Sequence, residues 1–255
     1  MRITVAHTPE HYQEKTVAQH RSLSELTAVV VDVLRASTTM VTALMNGAKR
    51  IVPCQTIEEA TRYVKEHCDK ETSIALSGER HAFKVESFDL GNSPQEYTAD
   101  AVNGKTIVMT TTNGTRALQT APQTEHLMIG CLLNANRVAK ACGSIGKDVE
   151  LVCAGTDGEY SEDDVIGAGG IINQLVQNYT DIKLESDGKN ALELFLRDEK
   201  DLTRALKQTA HGQRLKRLGF EEDIAYCAQH SLPEAPVPIL QAGEPQYLTT
   251  LPLSE

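Results

Sequence analysis

Apolar segments typical of β-strands are followed three times by a short turn of small polar residues, and each turn opens a predicted helix. The apolar segments span residues 28–34, 106–110 and 149–154. A chain that passes from strand to helix through Ser, Thr, Asn and Gly leaves backbone N–H groups unpaired at the start of the helix. The pattern therefore predicts three turns that are suited to binding an anion.

Strand-like and helical segments also alternate through the rest of the chain. Further strands are predicted at residues 2–6, 50–54, 73–76 and 126–131, and the longest helix at 161–178. This alternation favours an α/β fold, a three-layer α/β/α arrangement with a largely parallel or mixed sheet. Ligands of such sheets bind at the carboxyl ends of the strands, where the three polar turns would lie.

The chain of 255 residues is long enough for one large domain, and no low-complexity linker divides it. Residues 28–60 and 106–140 follow one plan of strand, polar turn with arginine, helix, strand and helix. We therefore expect a single domain over residues 1–255. The repeated plan allows two similar, tightly packed subdomains within it, at about 1–125 and 126–255.

Composition narrows the range of partners. The net charge is −10, so no basic excess is present to bind nucleic acid or an anionic membrane. Tryptophan is absent and other aromatic residues are few, which disfavours surfaces that stack bases. The N-terminus lacks a signal-peptide pattern, and no apolar run approaches the length of a membrane span. We expect a cytoplasmic protein, and homo-oligomerisation is left open.

The cysteines favour a reducing compartment. They lie in apolar runs and form no C-x-x-C pair, which is typical of buried reduced thiols rather than disulfides or a zinc site. The six are Cys54, Cys68, Cys131, Cys142, Cys153 and Cys227.

Carboxylates are concentrated at the ends of predicted strands and at the start of the long helix. Asp32 ends a strand of valine and leucine, where burial is costly unless a metal ion or the neighbouring Arg35 pairs with it. Simple ion pairs, an Asx turn at Asp157 and favourable charge at a helix N-terminus are the alternative explanations. Oxygen-rich sites suit Mg²⁺. The candidate metal ligands are Asp32, Glu79, Asp157, Glu162, Asp163 and Asp164.

Arginines accompany these acids, and their planar guanidinium groups match phosphate, carboxylate or sulfonate. Surface ion pairs are the alternative explanation. The residues expected to contact substrate are Arg35, Ser37, Thr38, Arg80, Asn92, Ser93, Asn113, Gly114, Thr115 and Arg116. The residues expected to act in catalysis are Asp32, Arg35, Glu79, Arg80, Arg116 and Asp157. His81 follows Arg80, but an exposed loop histidine is the simpler interpretation.

Two well-known phosphatase chemistries do not match the chain. A phosphatase with an aspartate nucleophile in a D-x-D motif would need a second acid two residues after Asp32, where Leu34 stands. A cysteine phosphatase needs C-x₅-R with glycines in the loop. Cys131 and Arg137 have the spacing, but the intervening residues include no glycine. Two mechanisms remain: transfer of the phosphoryl group to water with the help of a metal ion, or attack by a protein nucleophile that the sequence does not identify.

Five motifs in this order resemble the 2-phosphosulfolactate phosphatase family. They lie at residues 32–39 (DVLRASTT), 78–80 (GER), 89–94 (DLGNSP), 110–115 (TTTNGT) and 154–158 (AGTDG). The resemblance implies a phosphoric monoester hydrolase that uses Mg²⁺ to convert (2R)-phospho-3-sulfolactate into 3-sulfolactate and phosphate. The alternatives are a phosphatase for another small anionic phosphoester and a non-catalytic sensor of anions or nucleotides.

Overall fold

The chain folds as an α/β protein around one large mixed sheet. A computed structural model describes residues 1–13, 23–67, 73–121 and 124–252. Within these ranges the sheet has eleven strands. They are β1 (Arg2–Ala6), β2 (Leu26–Val31), β3 (Arg50–Pro53), β4 (Ile74–Arg80), β5 (Phe83–Lys84), β6 (Thr106–Thr110), β7 (His126–Gly130), β8 (Asp148–Cys153), β9 (Lys183–Leu184), β10 (Pro238–Gln241) and β11 (Tyr247–Thr250).

Two blocks of parallel strands make up most of the sheet, whose order is β5-β4-β6-β3-β11-β10-β7-β2-β8-β1-β9. One block contains β4, β6 and β3, and the other contains β7, β2, β8, β1 and β9. The hairpin of β10 and β11 joins the blocks through antiparallel pairs with β7 and β3. The prediction of a largely parallel or mixed sheet is confirmed.

Helices flank the sheet, as the three-layer prediction requires. They are α1 (Ala36–Met45), α2 (Ile57–His67), α3 (Ala99–Val102), α4 (Gly114–Thr120), α5 (Ala135–Ile145), α6 (Glu162–Asn178), α7 (Ser186–Asp198), α8 (Leu202–Gln208), α9 (Ala210–Arg217) and α10 (Glu221–Cys227). None of these described helices combines the length and apolarity needed to cross a bilayer. The cytoplasmic location and the division near residue 125 stay predictions.

Strand β2 lies at the centre of the core because its sequence, LTAVVV, is apolar on both faces and fully buried. Alternate residues of a strand face opposite sides of the sheet. Val29 and Val31 therefore join one apolar cluster with α5 and α6. Ala28 and Val30 join a second cluster, to which α1, α4 and strands of both blocks contribute. This second cluster holds the two blocks together beneath the site.

Small residues in α6 permit close packing on two sides. A Cβ atom added at Gly167 would overlap the side chain of Val33, just after β2. A Cβ atom at Gly169 would overlap the backbone carbonyl of Ala191 in α7. Gly167 therefore allows α6 to approach the end of β2 closely, whereas Gly169 serves helix-to-helix packing.

The described cysteines agree with the prediction of buried thiols. Cys54, Cys131, Cys142 and Cys227 are buried free thiols, and Cys153 is buried as well. Cys68 lies outside the described residues. The hairpin of β10 and β11 is a feature that the sequence pattern did not predict.

Candidate active site

The exits of β2, β4, β6 and β8 border one cleft of about 130 Å³, with α9 as a further wall. All three polar turns predicted from the sequence meet there. The lining residues are Asp32, Leu34, Arg35, Glu79, Arg80, His81, Ala82, Asn92, Thr111, Thr112, Asn113, Thr156, Asp157, His211, Arg214 and Leu215. Seven of them, Asp32, Arg35, Glu79, Arg80, Asn92, Asn113 and Asp157, are among the predicted site residues. The cleft is small and strongly polar.

Asp32 is buried at the exit of β2 and presents one carboxylate oxygen to the cleft. Its Oδ1 accepts a hydrogen bond from the N–H of Ala36 at 3.0 Å. Its Oδ2 accepts no hydrogen bond from any residue the structure describes. Burial raises the pKa of Asp32 from 3.8 to about 6; nearby His211 opposes the rise, and Asp163 and Glu79 add to it. Asp32 is therefore a carboxylate that a cation or a proton would stabilise.

The turn after β2 is closed by its own side chains. Ser37 accepts a hydrogen bond at Oγ from the N–H of Asp32 at 2.9 Å, and its own N–H donates to the carbonyl of Asp32. Thr38 donates through Oγ1 to the carbonyl of Val33. Neither side chain lines the cleft, so both act here on the shape of the turn rather than as the predicted substrate contacts.

Arg35 lines the cleft with its guanidinium group fixed from several sides. Nη1 forms an ion pair of 2.7 Å with Asp223 of α10, and both side chains are almost fully buried. Nη2 donates to the carbonyl of Ala82 at 2.8 Å, and the group lies 4.3 Å from the ring centre of Phe220. Arg35 thus ties the turn after β2 to the C-terminal helices.

The end of β4 contributes Glu79, whose carboxylate is fully hydrogen-bonded within the protein, and Arg80, whose charge is not paired with a carboxylate of the described residues. Glu79 accepts hydrogen bonds from the N–H and hydroxyl of Thr112 at Oε1 and from the N–H of Ala82 at Oε2. Arg80 donates to the carbonyl of Glu79 and to Oγ1 of Thr110. Within the described ranges, Arg80 has no carboxylate partner. Its charge is therefore available to an anion in the cleft.

The turn after β6 reaches Asp32 because Gly114 has no side chain. A Cβ atom there would lie 2.6 Å from Cβ of Ala36 and 3.1 Å from Oδ2 of Asp32. Asn113 lines the cleft and accepts a hydrogen bond from the N–H of Asp157 at 3.3 Å. Thr115 is buried in the first turn of α4 and does not line the cleft; its N–H donates to Oγ1 of Thr111 at 3.1 Å and its hydroxyl donates to the Thr111 carbonyl at 2.8 Å.

Asn92 and Ser93 occupy different positions around the cleft. Asn92 is a buried lining residue, and its Oδ1 accepts no hydrogen bond from the described residues. Ser93 lies behind the cleft wall, where its hydroxyl donates to Asp223 at 2.6 Å. Ser93 therefore supports the ion pair of Arg35, whereas Asn92 can contact a ligand directly.

Arg116 lies outside the cleft lining. Its Nη1 forms an ion pair of 3.1 Å with Glu10, and both side chains are substantially exposed. Its Nε and Nη2 atoms are buried without a partner in the described part of the chain. The structure thus separates Arg116 from Arg35 and Arg80, with which the sequence grouped it.

The acids of the third turn and of α6 are spread over several partners. Asp157 lines the cleft and pairs with Arg214 at 3.1 Å, and Glu162 pairs with Arg197 at 3.3 Å away from the cleft. Asp164 accepts the N–H groups of Val33 and Gly155 and so joins the exits of β2 and β8. Burial, with Asp163 and Asp32 adding to it, raises the pKa of Asp164 well above 3.8.

Asp163 is buried behind the cleft wall and faces His211 of α9. Its Oδ1 accepts the hydroxyl of Ser161 at 2.7 Å, and its Oδ2 lies 3.4 Å from Nδ1 of His211. That separation exceeds ordinary hydrogen-bond length, which is consistent with Oδ2 having no hydrogen-bond partner among the described residues. The two groups form an ion contact rather than a hydrogen bond.

Three residues of the site were missed by the sequence analysis. His211 and Arg214 come from α9 and Asp223 from α10, more than fifty residues after the last polar turn. No motif marks His211 or Arg214, because only the docking of the C-terminal helices brings them to the cleft. Residues 223–227 (DIAYC) also resemble the end of that family's sequences, but this resemblance assigns no role to Asp223.

The six predicted metal ligands do not gather around one point. Among the described residues, no group of three or more His, Cys, Asp or Glu side chains is arranged to hold a metal ion. Glu79 and Asp164 use both carboxylate oxygens for protein donors, whereas Oδ2 of the cleft-lining Asp32 accepts no hydrogen bond from the described residues. Mg²⁺ is often held by one or two carboxylates together with substrate phosphate and water. Asp32 fits that mode of binding.

Comparisons with known proteins agree with this architecture. A family model described as 2-phosphosulpholactate phosphatase matches residues 11–243. A protein of Caldanaerobacter subterraneus subsp. tengcongensis is 42% identical over 216 residues, which cover 85% of this chain and 88% of the relative. Proteins of Clostridium acetobutylicum (41% identity; 81% and 86% covered) and Caldicellulosiruptor saccharolyticus (39%; 86% and 90%) are also similar. Each is named "probable 2-phosphosulfolactate phosphatase".

An α/β fold with a small polar cleft, together with these relatives, defines a phosphoric monoester hydrolase. The chain belongs to the 2-phosphosulfolactate phosphatase family. The resemblance found in the five sequence motifs is thereby confirmed.

Proposed function

We propose that this protein uses Mg²⁺ to hydrolyse (2R)-phospho-3-sulfolactate to 3-sulfolactate and phosphate. The proposal rests on two groups that line the same small cleft. Asp32 has an open carboxylate oxygen, and Arg80 has no carboxylate partner among the described residues. A phosphate monoester that brings its own Mg²⁺ needs both kinds of group. The named relatives support the choice of substrate.

Asp32 is the residue we propose to hold Mg²⁺, together with oxygens of the substrate phosphate. When bound, the ion would neutralise charge on the phosphoryl oxygens and orient a water molecule. Burial raises the pKa of Asp32, and the neighbouring acids Asp163 and Glu79 add to the rise. A cation at Oδ2 would favour its ionised form, so binding of metal and loss of the proton are coupled.

Arg80 is the group we propose to bind the transferred phosphoryl group or the neighbouring acid group of the substrate. Its hydrogen bonds to the Glu79 carbonyl and to Thr110 hold the guanidinium plane in place before substrate arrives. A charge that is already oriented stabilises the transition state without reorganisation. Asn92 and Asn113 supply neutral polar contacts on the same wall.

Arg35 has a supporting role in this proposal. Its charge is compensated by Asp223 within the protein, so it contributes less to binding an anion than Arg80 does. Its position keeps the tip of the β4–β5 hairpin against the C-terminal helices, through the carbonyl of Ala82 and the ring of Phe220. The cleft therefore depends on Arg35 for its shape.

Phosphate release from a panel of esters tests the proposed function. The purified protein is incubated with phosphosulfolactate, with phospholactate, which lacks the sulfonate, and with glycerol phosphate, each with Mg²⁺ and with excess EDTA. We expect the fastest release from phosphosulfolactate and no release in EDTA. Faster turnover of phospholactate would instead indicate another small anionic phosphoester as the substrate.

A further inference from the structure

His211 occupies a position in the cleft that the proposed function does not yet use. It begins the first turn of α9, its ring lines the cleft, and only 16% of its side chain is exposed. Both of its close polar contacts are made through Nδ1, to Oγ1 of Thr156 at 3.3 Å and to Oδ2 of Asp163 at 3.4 Å. Among the described residues, Nε2 has no partner.

The hydrogen bonds around Asp163 determine which ring nitrogen of His211 carries a proton. Ser161 donates its hydroxyl proton to Asp163, so its oxygen accepts from Thr156 at 2.8 Å. Thr156 has then used its only proton and can only accept from His211. Both neighbours of Nδ1 are therefore acceptors, which places a proton on Nδ1. Nε2 is the nitrogen that is free to exchange a proton with a ligand.

The charges that face His211 favour its imidazolium form. Burial by itself opposes the charged ring, and Arg35 opposes it as well, whereas Asp163 of α6 and Asp32 after β2 favour it. Asp163 is the acid in contact with the ring, so its charge favours the imidazolium also when Asp32 is neutralised by Mg²⁺. Arg214, one turn along α9, is paired with Asp157 after β8 and so adds little net charge. A charged ring carries a proton on Nε2 as well.

We propose that His211, oriented by Asp163, is the general acid that protonates the leaving oxygen of the phosphoester. This assignment rests on the proposed phosphatase function. A general acid must reach the reacting atoms and be held in one orientation, and His211 meets both conditions from the cleft wall. The contact of Asp163 with Nδ1 is long, as such contacts often are before substrate is bound. Asp163 is thus a positioning residue.

The chemical step balances as follows. The oxygen of water forms the new bond to phosphorus, and the electron pair of the broken P–O bond goes to the ester oxygen. The proton on Nε2 passes to that oxygen and gives the free alcohol. The product phosphate holds both protons of the water molecule, and the return of one of them to Nε2 restores the imidazolium.

Substrates that differ in the leaving group separate this role from a structural one. Phospholactate expels a basic alkoxide that needs a proton, whereas phosphoenolpyruvate, of similar size and charge, expels a less basic enolate. His211→Gln should lower kcat on phospholactate and phosphosulfolactate by about 100-fold or more. Its loss on phosphoenolpyruvate should stay below about tenfold. An equal loss on all three esters would overturn the assignment.

The pH dependence of kcat gives a second readout, which decides the question if the wild type does not turn over phosphoenolpyruvate. Wild-type activity on phosphosulfolactate should fall at alkaline pH as Nε2 loses its proton, and this fall should be absent in His211→Gln. Asp163→Asn should move the fall to lower pH, because the carboxylate that stabilises the imidazolium is gone. An unchanged alkaline fall in both variants would contradict the proposal.

His67→Gln is the matched control, since this histidine is exposed on α2 and, within the described part of the chain, has polar and ring contacts only with Tyr63. It should keep wild-type activity on every ester and at every pH. Circular dichroism and thermal melts establish that each variant is folded. If the wild type releases no phosphate from any ester with Mg²⁺, the proposed function itself fails and the assignment of His211 falls with it.

Discussion

Arg35 and Asp223 stand 188 residues apart in the chain and form a buried ion pair of 2.7 Å. Ser93 and Gln95 also donate to Asp223, so its carboxylate is fully used inside the protein. One residue comes from the first polar turn and the other from α10. The pair therefore fixes the C-terminal helices, including the wall that carries His211, against the sheet.

Asp223→Asn should lower the free energy of unfolding by about 3–5 kcal/mol, because it leaves the charge of Arg35 buried without a counter-charge. Urea denaturation measures this directly. The matched control is Asp148→Asn, which removes the partner of Arg2 in an ion pair that is about one third exposed. It should cost less than about 1 kcal/mol. Equal costs for the two variants would show that the buried pair has no special role.

Asp32→Asn should stabilise the metal-free protein at pH 7.5 while abolishing activity. The pKa of Asp32 is about 6 in the folded chain against 3.8, so its folded form holds a proton that the unfolded form has released. The contribution of Asp32 to the free energy of unfolding is fully present below pH 3.8 and is lost as the pH rises through 6. At pH 7.5 in EDTA the variant should gain on the order of 2 kcal/mol.

The same variant tests where Mg²⁺ binds. Added Mg²⁺ should raise the melting temperature of the wild type, since a ligand that binds only the folded state stabilises it. Asp32→Asn should not respond.

The dependence of stability on pH checks the titration argument for Asp32. If Asp32→Asn gains as much stability near pH 3.5 as at pH 7.5, that argument is contradicted.

Arg80→Ala should lower kcat/KM for phosphosulfolactate by about 100-fold, which corresponds to roughly 3 kcal/mol. Arg116→Ala should lower it less than about threefold, because Arg116 pairs with Glu10 outside the cleft. Steady-state phosphate release from both variants under one set of conditions gives the comparison. A larger loss in Arg116→Ala would show that Arg116 acts on the substrate together with Arg80, as the sequence predicted.

Gly114→Ala should reduce activity by at least tenfold, because the added Cβ would press on both Ala36 and Asp32. The distance of 2.6 Å to Cβ of Ala36 is too short for a carbon contact, so the two turns must separate, and at 3.1 Å the Oδ2 atom of Asp32 must also give way slightly. Gly188→Ala in α7 is the control, since its new Cβ would meet its nearest neighbour, the carbonyl oxygen of Ile3, at 3.4 Å. That variant should keep full activity and gain up to about 1 kcal/mol from helix propensity.

Local sequence patterns predicted the elements around the site well. The strand at 106–110 is β6 with the same bounds, and the strand at 2–6 is β1. Thr56 caps α2, with the N–H of Glu59 donating to its hydroxyl oxygen at 3.1 Å. Such features depend on residues a few positions apart, so the pattern of polar and apolar positions is sufficient to find them.

Long-range contacts limited the prediction of the site. The sequence does not show that Glu79 and Asp164 accept hydrogen bonds from the protein, so it predicts both as metal ligands on the same grounds as Asp32. His211 is separated from Asp163 by 48 positions, which include β9, α7 and α8, and its neighbours form no motif. The chemistry of these residues is set by which helix docks beside them, and this depends on packing across the whole chain.

The most direct test of the account is phosphate release from phosphosulfolactate by wild type, Asp32→Asn and Arg80→Ala, with Mg²⁺ and after chelation. The account predicts rapid release by the wild type, loss of release in EDTA with recovery on adding Mg²⁺, and loss of about 100-fold or more in both variants. Wild-type activity that persists in EDTA, or full activity in Asp32→Asn, would contradict it.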